Sequence, residues 1–302
     1  MKKKYLKIFL IMFFLLTMTG CTKNFNHEGK LYTENVLCQP QKSETIEIYK
    51  KNNIDISKLK PCSEFEITDG GYEGLWTTIF VKPLALLLLK FGDLLNSYGF
   101  AIITVTILLR LIVMPITAKT ASQSENMKKA QPELDRLNKK YENKNDRDSL
   151  MMKSQEQLLI YKKYNIKPMS GCLFAFIQIP LFFAFFEAIN RIPVLFEENF
   201  LNLFELRRTP MEAFKLNQYY YVIFIILIIT TTYFSFKMNK TVAMSSEQEK
   251  QMKLTTNIMI IMISVFSFNL TTGIGLYWIF NSGFTIFQNL VMKGSKKNVG
   301  NS

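Results

Sequence analysis

One arginine lies inside a long apolar stretch of this sequence, and it is the residue there whose chemistry demands an explanation. Residues 99–117 read GFAIITVTILLRLIVMPIT, with Arg110 between apolar neighbours on both sides. Placing an arginine at the centre of a transmembrane helix costs about 2.5–3.5 kcal/mol on insertion scales, so such a residue usually has a function. We therefore expect a charged, hydrated recess that handles a substrate. The alternative is an arginine that reaches the membrane interface or pairs inside a helix bundle.

Polar residues at helical spacing indicate the same recess. In the last apolar stretch they recur every three or four residues, which places them on one helix face, and Thr106 lies one turn before Arg110. Taken singly, such residues usually form hydrogen bonds between helices, each worth about 0.6 kcal/mol in bilayers. Together with the arginine they predict a hydrated groove. The predicted groove residues are Thr106, Arg110, Gln178, Ser235, Trp278, Asn281, Thr285 and Gln288.

The stretches that carry these residues have the length of membrane spans. The chain has 302 residues, of which 48% are hydrophobic, and a formal net charge of +13. A helix needs about 20 apolar residues to cross the hydrocarbon core. We predict an all-α polytopic membrane protein with five transmembrane helices, an outer interfacial amphipathic helix and a cytoplasmic helical hairpin. The predicted spans are residues 99–117, 168–189, 218–236, 254–270 and 274–292.

Loop charge predicts the orientation of this five-span core, residues 99–293. Basic residues are concentrated in residues 119–167 and in the tail 294–302, which the positive-inside rule assigns to the cytoplasm. In 119–167 two helical patterns flank a polar break, which predicts the hairpin. Its basic face is either simply solvated or contacts ribosomal RNA or anionic lipid. Residues 191–215 carry balanced charge and are predicted outside.

The N-terminus is typical of a lipoprotein signal peptide. Residues 1–20 have a basic start and a short apolar run, and Gly20 precedes Cys21 as in a lipobox. Cleavage would leave Cys21 as the mature N-terminus outside the cell membrane, carrying diacylglycerol and a fatty acyl chain such as palmitate. The alternative is an uncleaved anchor helix.

The next two segments are predicted to be extracytoplasmic. Residues 21–74 are polar and too few for a large core. An oxidising compartment would allow a disulfide between Cys38 and Cys62, with free thiols as the alternative. Residues 75–98 are apolar but interrupted by charged residues such as Lys82, which is typical of an amphipathic helix lying in the outer interface.

Common motifs of nucleotide, hydrolase and zinc sites are missing from the sequence. It contains no Walker A loop, GxGxxG, GxSxG or HExxH, and its four cysteines lack zinc-like spacing. We therefore predict that the protein is not an enzyme and has no metal site or dissociable cofactor.

Four stretches together resemble the YidC/Oxa-type membrane protein insertases. They are residues 98–117 (YGFAIITVTILLRLIVMPIT), 129–141 (KAQPELDRLNKKY), 166–186 (IKPMSGCLFAFIQIPLFFAFF) and 275–288 (GLYWIFNSGFTIFQ). The first stretch resembles the family's first core span, whose groove arginine falls on Arg110. The third resembles its NP-x-x-G-C…Q-x-P signature, with Lys167 in place of Asn. In the predicted fourth span, Met259 is followed by Ile260, where the family has a proline. The short outer segment and the lipobox resemble Gram-positive-type members.

The resemblance implies an insertase that uses neither nucleotide nor metal. Five spans would enclose a groove open to the cytoplasm and to lipid but closed outside, and Arg110 would transiently hold acidic residues of a substrate's translocated tail. The expected partners are nascent membrane proteins, the ribosome, the Sec translocon and the lipid bilayer, with no small-molecule substrate. A transporter or channel with an intramembrane arginine site is the alternative function, and a structural lipoprotein scaffold is a third.

Overall fold

The computed structural model is mostly helical and describes residues 22–27, 30–144, 146–166, 170–238 and 246–299. This confirms the helical fold class that the sequence predicts. The helices are α1 (Ser43–Lys51), α2 (Lys82–Leu95), α3 (Tyr98–Lys140), α4 (Arg147–Lys163), α5 (Ser170–Arg191), α6 (Pro210–Lys215), α7 (Val222–Met238), α8 (Ser246–Ser267) and α9 (Thr272–Val299). Two antiparallel pairs join β1 (Asn24–His27) to β2 (Lys30–Thr33) and β3 (Asn199–Phe200) to β4 (Phe204–Glu205).

Two helical segments in the described part of the chain are long and apolar enough to cross a bilayer. They are Tyr98–Thr117, with a mean hydropathy of 2.3, and Tyr219–Met238, with a mean hydropathy of 1.7. Lys253–Ser267 is apolar but shorter. The prediction of five spans therefore stays a prediction for the other helices.

Helix α3 is longer than the sequence pattern suggests. The predicted first span and the first helix of the predicted hairpin form one continuous helix of 43 residues, with Pro115 and Pro132 inside it. A proline removes one backbone hydrogen bond of a helix. Near Pro115, the Thr117 hydroxyl donates a hydrogen bond to the Met114 carbonyl at 3.0 Å, so the side chain adds a local contact at this turn.

The chain divides into two compact units, each built from separate parts of the sequence. The first contains the described residues up to Leu108, with Gln178–Phe224 and Phe268–Trp278. The second contains the described residues of Leu109–Ile177 and Ile225–Ser267 and those from Ile279 onward. Helices α3, α5, α7 and α9 contribute residues to both units.

In the first unit the N-terminal segment, residues 22–74, has a small core of its own. Tyr32 and Tyr49 are buried together with Val36 and Ile56, and the Tyr49 hydroxyl donates a hydrogen bond to the Thr33 carbonyl at 2.8 Å. Burial raises the pKa of Tyr49. A disulfide joins Cys38 to Cys62, whose Cα atoms are 4.8 Å apart. The sequence predicted too few residues for a large core, and the structure shows a small one around aromatic rings.

The first unit also contains α2, where the sequence predicts the interfacial helix. Leu84 and Leu88 lie on its buried side, while Leu87 and Leu94 are exposed, which makes the helix amphipathic. The helix ends before Asn96, which adopts a left-handed conformation with φ 50°. Asparagine tolerates this conformation better than most residues.

In the second unit the C-terminal half of α3 packs against α4 as an antiparallel hairpin. Its core consists of Met127, Ala130, Leu134, Tyr161 and Ile166. Lys163 forms an ion pair with Glu133 at 2.5 Å, and Lys140 pairs with Glu156 at 2.6 Å, so the pairing runs in opposite directions along the two helices. The hydrogen bond from Lys163 holds the pKa of Glu133 below its usual range.

Candidate functional site

The arginine that the sequence singles out is buried and contacts a polar side chain of another helix. Arg110 on α3 is 4% exposed, and its Nε donates a hydrogen bond to Oδ1 of Asn281 on α9 at 2.6 Å. Hydrogen bonds with a charged donor are roughly twice as strong as neutral ones. Because the amide of Asn281 is neutral, this hydrogen bond fixes the guanidinium in place without cancelling its charge.

A second polar contact joins the same two helices two turns further along. The Gln288 amide on α9 donates a hydrogen bond to the Thr117 hydroxyl on α3 at 2.7 Å, and both residues are buried. Thr285, buried between Asn281 and Gln288 on α9, donates to the Asn281 carbonyl at 3.1 Å. We call these five residues of the second unit the Arg110 site. It comprises Arg110, Thr117, Asn281, Thr285 and Gln288.

Three other predicted groove residues lie in the first unit, and each contacts a different residue of that unit. The Thr106 hydroxyl donates to the Ile102 carbonyl of its own helix at 2.6 Å. The Gln178 amide donates to the Tyr277 hydroxyl at 3.5 Å. Trp278 packs edge-on against Phe182, with ring centres 5.4 Å apart.

Ser235 is the eighth predicted groove residue. It is half-buried on α7 in the second unit. The structure thus brings Arg110 together with Asn281 and places Gln288 against Thr117. That all eight residues line one groove stays a prediction.

Sequence reasoning missed a cluster in the first unit, at the C-terminal end of α5, in which three of the four residues are buried. Arg191 forms ion pairs with Glu73 at 2.5 Å and with Glu187 at 3.2 Å. The Trp76 indole donates a hydrogen bond to Glu187 at 3.0 Å. We call these four residues the Arg191 cluster. Glu187 and Arg191 are four residues apart, which is the spacing of an ion pair on one helix. The sequence could therefore have indicated this pair of the cluster.

Lys82 was expected to interrupt an interfacial helix. In the first unit it instead binds backbone carbonyls of the N-terminal segment. Its side chain is fully buried, and its Nζ donates hydrogen bonds to the carbonyls of Asp69 and Gly71, each at 2.6 Å. Glu73 lies 3.7 Å away. Lys82 therefore fixes the end of the N-terminal segment against the beginning of α2.

Metal-binding side chains do not gather in the described part of the chain. No group of three or more His, Cys, Asp or Glu side chains there is arranged to hold a metal ion. The Arg110 site contains no carboxylate, thiol or imidazole. Its chemistry is that of one guanidinium held by the Asn281 amide, on helices that carry further amide and hydroxyl side chains, which suits the reversible binding of an anionic group.

These features define a helical membrane protein with a buried cation on an apolar helix, and comparison with known proteins gives its family. The model of the family described as 60Kd inner membrane protein matches residues 90–299. The membrane protein insertase YidC 1 of Halalkalibacterium halodurans is 34% identical over 229 residues, which are 76% of this chain and 82% of that protein. The membrane protein insertase YidC of Oceanobacillus iheyensis is 32% identical over 238 residues, 78% and 90% of the two chains.

A third relative is the membrane protein insertase MisCA of Bacillus subtilis. It is 33% identical over 227 residues, which are 74% of this chain and 82% of that protein. The chain belongs to the 60Kd inner membrane protein family, the YidC/Oxa-type insertases. This confirms the resemblance that the sequence motifs indicate.

Proposed function

We propose that this chain inserts nascent membrane proteins into the cell membrane and assists their folding, as a chaperone and not as an enzyme. The observation that carries the proposal is the buried hydrogen bond between Arg110 and Asn281, since it holds a cation on an apolar helix. The insertases named among its relatives support the same function.

The proposed mechanism uses the charge of Arg110 to lower the barrier for a polar tail. A hydrated groove that includes the Arg110 site receives the translocated tail of a nascent helix, and the guanidinium transiently pairs with its acidic residues. Two opposite charges about 4 Å apart attract by about 4 kcal/mol at an intermediate dielectric, before the desolvation cost is subtracted. Release follows because the apolar helix itself gains free energy on entering lipid.

The proposed topology has five transmembrane helices, with the C-terminus and the α3–α4 hairpin in the cytoplasm. Loop charge supports this orientation, because the hairpin is strongly basic while residues 191–215 are balanced. The amphipathic character of α2 supports its placement in the outer interface.

A lipid anchor at the N-terminus completes the proposal. Residues 1–20 are removed as a signal peptide, and Cys21 receives diacylglycerol and a fatty acyl chain; these residues lie outside the described part of the chain. The basic start, the short apolar run and the Gly20–Cys21 pair support this assignment. No other cofactor is part of the proposal.

The ribosome and the Sec translocon are the proposed protein partners. Exposed basic side chains on the α3–α4 hairpin support a ribosome contact, since ribosomal RNA is strongly anionic. These side chains include Lys129, Arg136, Lys139, Lys144 and Lys162.

Depleting the protein from growing cells tests the function against its two alternatives. For an insertase, newly made membrane proteins fail to become protected from protease while solute uptake in existing membranes stays normal. Loss of uptake with normal insertion would indicate a transporter or channel. Normal insertion and normal uptake would indicate a structural scaffold.

A further inference from the structure

The N-terminal segment is attached to the rest of the first unit at a second place, outside the Arg191 cluster. The Glu197 carboxylate accepts hydrogen bonds from the backbone N–H groups of Gln41 and Lys42, at 3.0 and 3.1 Å. These groups lie at the beginning of α1, where a carboxylate also interacts favourably with the helix dipole. The guanidinium carbon of Arg207 lies 3.6 Å from the centre of the Tyr32 ring.

Arg191 connects the N-terminal segment directly to α5. Its Nε donates a hydrogen bond to the Asn35 carbonyl at 2.6 Å, and its own carbonyl accepts one from the Leu37 N–H at 2.9 Å. The same guanidinium pairs with Glu73 near the C-terminal end of the segment. One side chain at the end of α5 therefore contacts the segment at two places that are far apart in its sequence.

The Arg191 side of these contacts is buried, so losing one partner has a large effect. Arg191 and Glu187 are almost completely shielded from solvent. Removing Arg191 leaves the buried Glu187 carboxylate without this cation, and neutralising Glu73 removes a carboxylate that compensates the buried guanidinium. Both changes destabilise the packed state. A packed element that loses such a contact opens more often. The disulfide between Cys38 and Cys62 crosslinks two parts of the segment, which favours its separation from α5 as one body.

We propose that Arg191 is a positioning residue, which fastens the N-terminal segment over the C-terminal end of α5 and keeps that end closed to water. The inference rests on the proposed function for its purpose, since an insertase must not let water and ions cross the membrane. The inference rests on the proposed topology for its direction, with the N-terminal segment outside. The closure itself depends only on contacts within the first unit.

Tryptophan fluorescence tests the closure in the purified protein. The chain has two tryptophans, so Trp278→Phe leaves Trp76, whose indole is buried against Glu187, as the only reporter. In this background Arg191→Gln and Glu73→Gln should each shift the Trp76 emission to longer wavelength and increase its quenching by acrylamide. Arg191→Lys, which keeps the charge, should restore part of the original spectrum.

Glu66→Gln is the matched control for Glu73→Gln. Both carboxylates lie in the same segment and each pairs with a cation, but the Glu66 side chain is 68% exposed and that of Glu73 is 32% exposed. Glu66→Gln should leave the emission unchanged. An unchanged Trp76 spectrum in both Arg191→Gln and Glu73→Gln would overturn the proposal, and so would an equal shift in Glu66→Gln. Glu73→Gln keeps the sequence of α5 intact, so it provides the test if Arg191→Gln does not fold.

Labelling of intact cells with an impermeant thiol reagent tests the direction of the closure. Ala188 is fully buried on α5, three residues before Arg191, and Leu203 is exposed. In a background with Cys172→Ser, the thiol of Ala188→Cys should react about tenfold faster in Glu73→Gln than in its parent, because the open state is more populated. An unchanged rate would contradict the closure. Leu203→Cys should react in both; if it does not, the proposed topology is wrong and the fluorescence result alone decides the role of Arg191.

Discussion

Arg110 and Asn281 are 171 residues apart in the sequence, yet the arginine Nε lies 2.6 Å from the asparagine Oδ1. The contact fixes one end of the guanidinium on a helix whose neighbouring residues are apolar. A flexible cation would lose side-chain entropy each time it bound an anionic group, and a preorganised guanidinium loses less. Under the proposed mechanism, the contact therefore prepares Arg110 for brief, repeated binding of acidic side chains.

The close approach of Gly99 to Phe200 predicts that the first turn of α3 tolerates no side chain at this position. A Cβ at Gly99 would lie 2.1 Å from the ring of Phe200. Gly99→Ala should lower the free energy of unfolding by about 1–3 kcal/mol, measured by thermal unfolding in detergent. Gly283→Ala is the control, because a Cβ there meets nothing within 4 Å, and it should be neutral or stabilising by up to about 1 kcal/mol. Equal effects of the two variants would contradict this packing.

The hairpin core predicts a contrast between two leucines. Leu134 on α3 is 1% exposed and Leu158 on α4 is 56% exposed. Leu134→Ala should destabilise the hairpin by about 2–5 kcal/mol, which faster hydrogen exchange of the α4 amides would reveal. Leu158→Ala should change exchange little, because surface substitutions usually stay within about 0.5 kcal/mol. If Leu158→Ala accelerated exchange as much as Leu134→Ala, the packing of the hairpin would be different from that described.

Lipidation of Cys21 predicts a defined mature N-terminus. Mass spectrometry of the purified protein should find residues 1–20 absent and Cys21 carrying diacylglycerol, with or without a further acyl chain. Cys21→Ser should retain the signal peptide, because the lipid-dependent cleavage has lost its substrate. An N-terminus at Met1 in the unaltered protein would exclude the lipoprotein.

The positive-inside assignment predicts the sides on which two loops lie. In a Cys172→Ser background, an impermeant thiol reagent applied to intact cells should label Leu203→Cys but not Asn143→Cys. Permeabilised cells should show labelling at both positions, since both residues are exposed. Labelling of Asn143→Cys alone in intact cells would reverse the topology.

The sequence predicts the Arg110 site better than the Arg191 cluster, for a physical reason. Asn281, Thr285 and Gln288 repeat on one helix face, and a buried arginine needs polar neighbours, so the pattern itself indicates where they lie. Trp76 and Glu187 meet across 111 residues of sequence. Neither residue belongs to a repeating pattern that would reveal the partner.

The helix boundaries, too, could be predicted from the sequence only in part. The long apolar stretch predicts where the span in α3 begins, because a helix needs about 20 apolar residues to cross the hydrocarbon core. The continuation of α3 beyond the predicted span and into the hairpin was not predicted, since apolar length does not show whether a helix continues into solvent and a proline such as Pro132 normally marks a helix end. The small core of the N-terminal segment was missed because its aromatic residues are spread over three short elements and show no periodicity.

The most direct test of the account is a comparison of matched acidic-tailed and neutral-tailed substrates with the Arg110→Ala and Arg110→Lys variants. Insertion is measured by protease protection in vesicles that contain equal amounts of each insertase. Arg110→Ala should slow insertion of the acidic-tailed substrate, and Arg110→Lys should retain part of the activity. Insertion of the neutral-tailed substrate should depend much less on the residue. Insertion of the acidic-tailed substrate by Arg110→Ala at the wild-type rate would contradict the proposed role of the charge, and equal defects for both substrates would show that Arg110 serves only to hold the helices together.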